Sequence, residues 1–436
     1  MTSSQSKAWM GKMYPLLKGY LNHWLVNRTD SAGYQICMCS WESGQDMMYR
    51  WGWNQSYGGD RSSRIIRAPE HQAAMSHAAG VMKSVAGLLE LGAKEESFWA
   101  GVRDTHANLT KSLFVKKEGW FCDYNSKVGV WQSGCNDDGP AVDPAGAGKQ
   151  SYQLAPLFFD TKALGVSLLD EADPATILKT VGNPDQFGSD PLGSLTFASY
   201  CASTPVDPRC VTDIWAPHPW LMIAAAGNCN QTALASSATH GLVDRVWGKM
   251  DARSRIHFDN PKGKFLRSTS PGSPYPGAAF ECLSKGLGER GPMSESCGSE
   301  DYAWTAEATT VSVLREIVGF REHPDFDAGV FILRPSLSAG LMERALAQSG
   351  GGRGAAYIVR GLQFRGFRFD IYYTVTSGTE LAVRLESAVA KGSSTDGNTA
   401  AVEFVAKNGV STFHVSFSAS GALQVTDTAA VKAASS

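Results

Sequence analysis

The chain lacks the marks of several common activities. No run of lysine and arginine interrupts its 436 residues, and the formal net charge is −2. Without a basic footprint, a nucleic-acid partner is not expected. The longest strongly apolar run, Trp220 to Ala226, is far too short to cross a bilayer, so no membrane span is expected. A Gly-x-Ser-x-Gly elbow, a Walker phosphate loop and His-Glu-x-x-His are all missing, which sets aside the catalytic systems built on them. Gly351-Gly352-Arg353-Gly354 has no strand–turn–helix setting, so it is not a dinucleotide loop. Nine cysteines include no Cys-x-x-Cys, and the nine histidines have no metal-like spacing. Asp137, Asp138 and Asp143 make a glycine-rich acidic loop without the ligand spacing of a calcium loop. Neither a metal nor an organic cofactor is expected.

Met1 to Ser6 carries no basic-then-apolar targeting signal. Four Asn-x-Ser/Thr sequons stand at Asn27, Asn54, Asn108 and Asn230. Cys122/Cys135, Cys201/Cys210 and Cys282/Cys297 are each spaced to close a short loop. These features lean toward the secretory pathway. The plainer reading is chance sequons and packed thiols.

What the chain has is tryptophan beside carboxylate. From Trp41 to Trp53, two acids (Glu42 and Asp46), Arg50 and three indoles (Trp41, Trp51, Trp53) fall within thirteen positions. Indole faces stack on sugar rings, and carboxyl groups bind hydroxyls or protonate a glycosidic oxygen. The cluster points to a carbohydrate site, with an oligosaccharide or small glycoside as partner.

Helical periodicity dominates to about residue 320. Met13, Leu16, Leu17, Tyr20 and Trp24 trace one face of a first helix. Ala73–Leu91 and Glu95–Phe114 read as an antiparallel pair turning at Gly92-Ala93, with Gly80 and Ala86 on the packing face. Gly119 to Tyr124 reads as an aromatic hairpin-like loop. Further helices are expected around Leu154–Phe159, Pro174–Thr180, Pro219–Ala226, Thr232–Trp247 and Trp304–Val318. From about residue 328 the period becomes alternating, with strands at Val330–Leu333, Leu362–Val375, Leu381–Leu385, Ala401–Ala406, Thr412–Phe417 and Leu423–Val425. Asn408-Gly409 reads as a hairpin turn between two of them. The expected organisation is a mainly helical domain over 1–327 and a small antiparallel β-sandwich over 328–436.

Several segments, taken in order, resemble the six-hairpin glycosidases of glycoside hydrolase family 63 and its mannosylglycerate-hydrolase-like relatives. Tyr14-Pro15-Leu16-Leu17 with Tyr20, Trp24 and Asn27 to Gly33 is similar to the helix leading into that family's acid loop. Trp41-Glu42-Ser43-Gly44-Gln45-Asp46 matches its Trp-Glu-Ser-Gly-x-Asp acid motif. Gly119 to Tyr124, Asp213 to Leu221 and Asp301 to Ala306 resemble later segments of the same barrel. The resemblance implies an (α/α)6 toroid, although only about eight helices are countable, and an inverting enzyme acting on α-linked glucosides or mannosides. The tryptophan-proline segment departs from the family, with Ala216 and His218 where Arg and Gly are usual.

An inverting hydrolase needs a protonated carboxyl and, about 6.5–9.5 Å away, an ionised one that activates water. The motif makes Asp46 the acid, and burial among indoles would raise its pKa. Alternatively, Asp46 caps a helix starting at Met47. Glu281, which follows an aromatic as the family's base does, and Glu295 are the candidate bases; Glu289 has a poorer local context. Glu42 and Arg50 are suited to sugar hydroxyls or to a structural salt bridge. Trp215, Trp220 and Trp304 are suited to floor a sugar pocket or simply to pack. Asp123 with Tyr124 reads as architectural. The alternative function is a non-catalytic carbohydrate-binding protein that keeps the indoles without a complete acid/base pair. A phosphorylase would need a basic phosphate pocket, which the sequence does not offer.

Overall fold

The computed structural model describes residues 3–38, 42, 64–127, 129–131, 151–160, 164–170, 172–181, 213–214, 217–247, 249–250, 256–257, 283–284, 303–323, 329–348, 356–387, 400–418 and 422–427. These fall into two compact units. One is Lys7–Gln231 with Gly241–Thr309, and the other is Thr310–Ser436 with Thr232–His240 and Met1–Ser6.

The chain starts with α1 (Ser3–Asn27), followed after a loop by the two-residue β1 (Ile66–Arg67). Helix α2 (Pro69–Leu88) begins where proline suits a helix, at the first position, with Glu70 in its first turn. Helix α3 (Ala93–Lys111) has Glu95 and Glu96 at its N-terminus and Lys111 at its end, which complements the helix dipole. The two pack antiparallel through small residues. A Cβ on Gly80 would meet the Arg103 side chain of α3 at 3.5 Å, and Ala79 and Ala86 are fully buried.

The first helix corrects one sequence expectation. Its inward residue is Tyr14, packed with Leu21, Leu25, Met82 and Trp99, while Leu16, Leu17 and Tyr20 are exposed. Tyr14 receives the Trp99 indole N–H at 2.7 Å and donates to Glu95 at 2.7 Å. Lys18 meets Glu95 from the same side, at 2.6 Å. These polar anchors choose the buried face over the greasier one.

Next come β2 (Phe114–Val115), β3 (Trp120–Phe121), β4 (Tyr124–Asn125) and β5 (Val130–Trp131). β2 and β3 form an aromatic hairpin that begins at Phe114, earlier than the expected Gly119–Tyr124 loop, and β4 pairs with both β1 and β5. A 3-10 turn (Ser151–Leu154) leads into α4 (Ala155–Phe159), and α5 is Pro174–Val181. Then follow β6 (Asp213–Ile214), α6 (Pro217–Asn228), α7 (Thr232–Trp247), β7 (Lys249–Met250), β8 (Ile256–His257), β9 (Leu283–Ser284) and α8 (Ala303–Ser312). The last runs into a π-helical turn, Val313–Val318. Cys122 is disulfide-bonded, and its partner lies outside the described residues.

Gly319 ends the π turn at φ +81°. A Cβ there would run into the Arg334 carbonyl group, so only glycine fits. Two antiparallel four-stranded sheets follow. One has β10 (Phe320–Glu322), β11 (Val330–Leu333), β16 (Phe413–Phe417) and β17 (Leu423–Asp427); the other has β12 (Ala356–Phe364), β13 (Phe367–Val375), β14 (Glu380–Ser387) and β15 (Ala400–Lys407). Alternation puts Ile371 opposite Leu385, Tyr373 opposite Val383 and Val375 opposite Leu381, all facing inward. Phe331 and Phe369 stack across the sheets at 5.1 Å. One apolar core thus joins both layers, as the alternating pattern leads one to expect.

Three details differ from expectation. Leu362–Val375 is two strands, because Arg365 (φ +49°) and Gly366 (φ +87°) make a two-residue turn between paired Phe364 and Phe367. Asn408-Gly409 is not a hairpin turn. β15 pairs with β14 while β16 pairs with β11 and β17, so this turn carries the chain between sheets. The Asn408 side chain mimics a strand neighbour, accepting from Leu337 N and donating to Leu337 O, both at 2.7 Å. A helix, α9 (Ala339–Gln348), also lies within the otherwise alternating region.

Candidate functional site

Of the residues singled out from sequence, Glu42, Asp123, Tyr124, Trp220 and Trp304 are described. Trp41, Asp46, Arg50, Trp51, Trp53, Trp215, Glu281 and Glu295 lie outside the described residues, as do Glu289 and the acidic loop of Asp137, Asp138 and Asp143. The geometry that bears on them is that of their chain neighbours.

Arg28 to Met38, and Glu42 beyond them, are tied down by hydrogen bonds. Arg28 Nε and Nη2 clasp the Glu42 carboxylate at 2.7 to 3.1 Å, and Glu42 Oε2 also accepts the Met38 amide at 2.7 Å. Burial works to raise the Glu42 pKa, but the Arg28 guanidinium and the Met38 N–H outweigh it and hold the carboxyl below its ordinary range. This is the salt bridge that the sequence left open beside sugar binding. Asp30 caps the next turn by accepting the amides of Ala32 and Tyr34, and Arg67 of β1 grips its other oxygen at 2.8 Å. The Arg67 guanidinium lies over the Tyr34 ring at 4.4 Å.

Deeper in, Gln72 of α2 treats Gln35 as a strand would. Its Oε1 accepts Gln35 N at 3.0 Å, and its Nε2 donates to Gln35 O at 2.9 Å. His106 of α3 reaches the same Gln72 Oε1 at 3.1 Å, and burial pushes its pKa down to about 4, leaving a neutral ring that donates. Cys37 Sγ lies 3.4 Å from His71 Nε2. Sequence reading passed over Gln72 and His106, and took Arg28 and Asp30 only as part of a family-like segment. For Gln72 and His106 the available signal was a polar residue on the packing face of its helix.

Two further connections involve the motif-bearing segments. The β1–β4 ladder, Ile66 opposite Asn125 and Arg67 opposite Tyr124, joins the chain after the tryptophan cluster to the aromatic hairpin. Between β3 and β4, Asp123 is fully buried and accepts the Tyr152 hydroxyl at 2.9 Å, while Trp120 Nε1 of β3 donates to Gln153 at 2.6 Å. Asp123 is therefore architectural, as expected. The β6–β9 ladder sets Ile214 opposite Leu283, one residue before Trp215 in the chain and two residues after Glu281. Trp304 is half-buried in the first turn of α8, and Trp220 packs edge-on against Phe158 at 4.8 Å. Among the described residues, no group of three or more His, Cys, Asp and Glu side chains is arranged to hold a metal, and no helix is long and apolar enough to cross a membrane.

No family model and no curated protein matches the sequence. Among solved structures, the chain is similar to one described as a sialidase, with a TM-score of 0.51 and 13% identity over 84% of this chain and 28% of that one. At that identity the likeness is one of fold, and the chain spans little more than a quarter of the sialidase's length. A family 63 mannosylglycerate hydrolase from Thermus thermophilus, solved in complex with glucose, is similar at a TM-score of 0.44 and 14% identity, over 72% of this chain and 70% of that one. Neutral trehalase from Saccharomyces cerevisiae is similar at 0.34 and 12%, over 60% and 40%. A mannosylglycerate hydrolase of family 63, the kind of protein that the sequence resembles, is thus among the structures found similar to this chain.

Proposed function

We propose that this chain is a glycoside hydrolase that cleaves α-linked glucosides or mannosides with inversion, on an (α/α)6 toroid over 1–327 followed by a β-sandwich-like domain over 328–436. Asp46 is the general acid and Glu281 the base, with Glu295 as the other candidate. Trp41, Glu42, Arg50, Trp51, Trp53, Trp215 and Trp304 make up the sugar-binding set. No cofactor enters the scheme, since water is the nucleophile.

The observation that carries this reading is the Arg28–Glu42 brace. Glu42 belongs to the Trp-Glu-Ser-Gly-x-Asp motif, and its carboxylate is held by a bidentate guanidinium and a backbone amide only four residues before Asp46. A catalytic acid is useful only when its approach to the glycosidic oxygen is fixed, and a held Glu42 four positions earlier in the chain supports that. The β6–β9 register supports a site that also draws on the segments of Trp215 and Glu281, because it joins their immediate chain neighbours.

In mechanism, Asp46 protonates the departing glycosidic oxygen as the bond to the anomeric carbon lengthens. The ionised base takes a proton from a water on the opposite face of the ring. That water's oxygen bonds to the anomeric carbon, giving a product of inverted configuration. The test is sugar release from a panel of α-glucosides and α-mannosides, with product configuration followed by NMR. Asp46→Asn is expected to lose at least about a thousandfold in kcat/KM, near 4 kcal/mol of transition-state stabilisation. Undiminished hydrolysis by that variant removes Asp46 as the acid. Sugar binding without turnover by the wild-type chain would mark a carbohydrate-binding protein instead.

A further inference from the structure

Helix α1 has a second apolar face, and it is exposed. Trp9 is 53% exposed, Leu16 67%, Leu17 44% and Tyr20 60%, and Met13 and Trp24 are half-buried beside them. These residues recur at spacings of three and four, so they form one stripe about 22 Å long from Trp9 to Trp24. Tyr20 and Trp24 touch edge to face at 6.4 Å along it.

The order of residues on this stripe is symmetric. Turned end for end about the midpoint between Leu16 and Leu17, the helix places Trp9 on Trp24, Met13 on Tyr20 and Leu16 on Leu17. We propose that this face of α1 pairs antiparallel with the same face of a second copy of the chain. A two-fold contact requires a self-complementary patch, and this stripe is one.

The area agrees. With an aromatic side chain at about 200 Å² and leucine somewhat less, the four most exposed side chains present roughly 400 Å² of apolar surface. A standard interface takes about 800 Å² from each partner, a little more than half of it non-polar.

Charge decides against the other natural occupant, an anionic lipid surface. A helix of this composition without acidic residues would need its lysines to face headgroups. Lys7 and Lys18 are instead turned to Glu90 and Glu95, at 2.7 and 2.6 Å. Lys12 alone of the helix's lysines has no carboxylate within salt-bridge distance among the described residues. In the antiparallel register each Lys12 lies level with position 21 of the other copy. The two lysines are about 13 Å apart along the axis, beyond the screening length of about 8 Å at physiological salt.

The experiment is sedimentation velocity of the full chain across a range of concentrations. The wild type is expected to be a dimer at micromolar concentration. Leu16→Glu and Leu17→Lys should each weaken self-association at least about a hundredfold. Both positions are exposed, so circular dichroism should show unchanged folding. Because residue 16 of one copy meets residue 17 of the other, an equimolar mixture of the two variants should associate again, to within about tenfold of the wild type. A wild-type chain that stays monomeric, dimers that survive both charges, or a mixture that fails to associate would each overturn the pairing. So would a monomer that co-sediments with phosphatidylserine-containing vesicles and is released by the same substitutions.

Discussion

The two-sheet core around Phe331 and the α2–α3 pair around Gln72 are both buried, but they are built of different material. Between the sheets the contacts are aromatic and aliphatic, with Phe331, Phe369, Ile371 and Val415 at 1% exposure or less. At the head of α2 and the middle of α3, Gln72, Ser76, Arg103 and His106 are buried as well, each spending its polar groups on a specific backbone or side-chain partner. Apolar contact is indifferent to direction and supplies stability. Hydrogen bonds are directional, so the second region can specify where Gln35, and with it the approach to Glu42, must lie. One core makes a domain cohere, and the other aims a loop.

The sharpest way to break this contrast is to cut into each core. Phe331→Ala should cost about 3–5 kcal/mol, because a large stacked ring leaves a cavity that the sheets cannot fill. Hydrogen exchange should speed up first in β11, β13 and β16 while α2 and α3 keep their protection. Equal loss in both places would mean that the two cores do not unfold separately.

Acid should act on the other core. The folded His106 pKa is depressed to about 4, below its unfolded value of about 6.5. The unfolded chain therefore binds the proton first as pH falls. The stability tied to the neutral ring is complete above about pH 6.5 and drains away toward pH 4, by roughly 3 kcal/mol in all. Urea midpoints between pH 7 and 4, read from exchange in α2 and α3, should fall along this slope. His106→Asn, which keeps a donor for Gln72 but does not titrate, should flatten it. An unchanged slope would place the acid sensitivity elsewhere.

The smallest change in stability is expected at the brace. Arg28→Lys keeps the charge but loses the fork that spans both Glu42 oxygens, and should cost under about 1 kcal/mol. If the brace aims the acid loop, hydrolysis should nonetheless fall about tenfold, mostly in kcat. Wild-type turnover in this variant would separate the brace from catalysis.

Local pattern in the chain was sufficient for the individual elements. Proline and acids at one end, lysine at the other and small residues between them specify α2 and α3. Strict alternation specifies β13 and β14, since period two leaves only one way to bury a face. Aromatic spacing marked a hairpin near Gly119 but not its first strand, Phe114–Val115, and the Trp-Glu-Ser-Gly-x-Asp motif was legible as a string. The choices left to the folded chain lie between equivalent local solutions. Both faces of α1 are apolar, and Tyr14 with Lys18 selects the buried one only because Glu95 and Trp99 come from another helix. Asn408-Gly409 has the chemistry of a hairpin, but the backbone of Leu337, seventy-one residues away, captures its side chain and sends the strand to another sheet. That Glu42 pairs with Arg28 is likewise seen only in the fold. Each of these outcomes depends on a hydrogen bond between distant residues, and no local pattern encodes the position of a partner supplied by the fold.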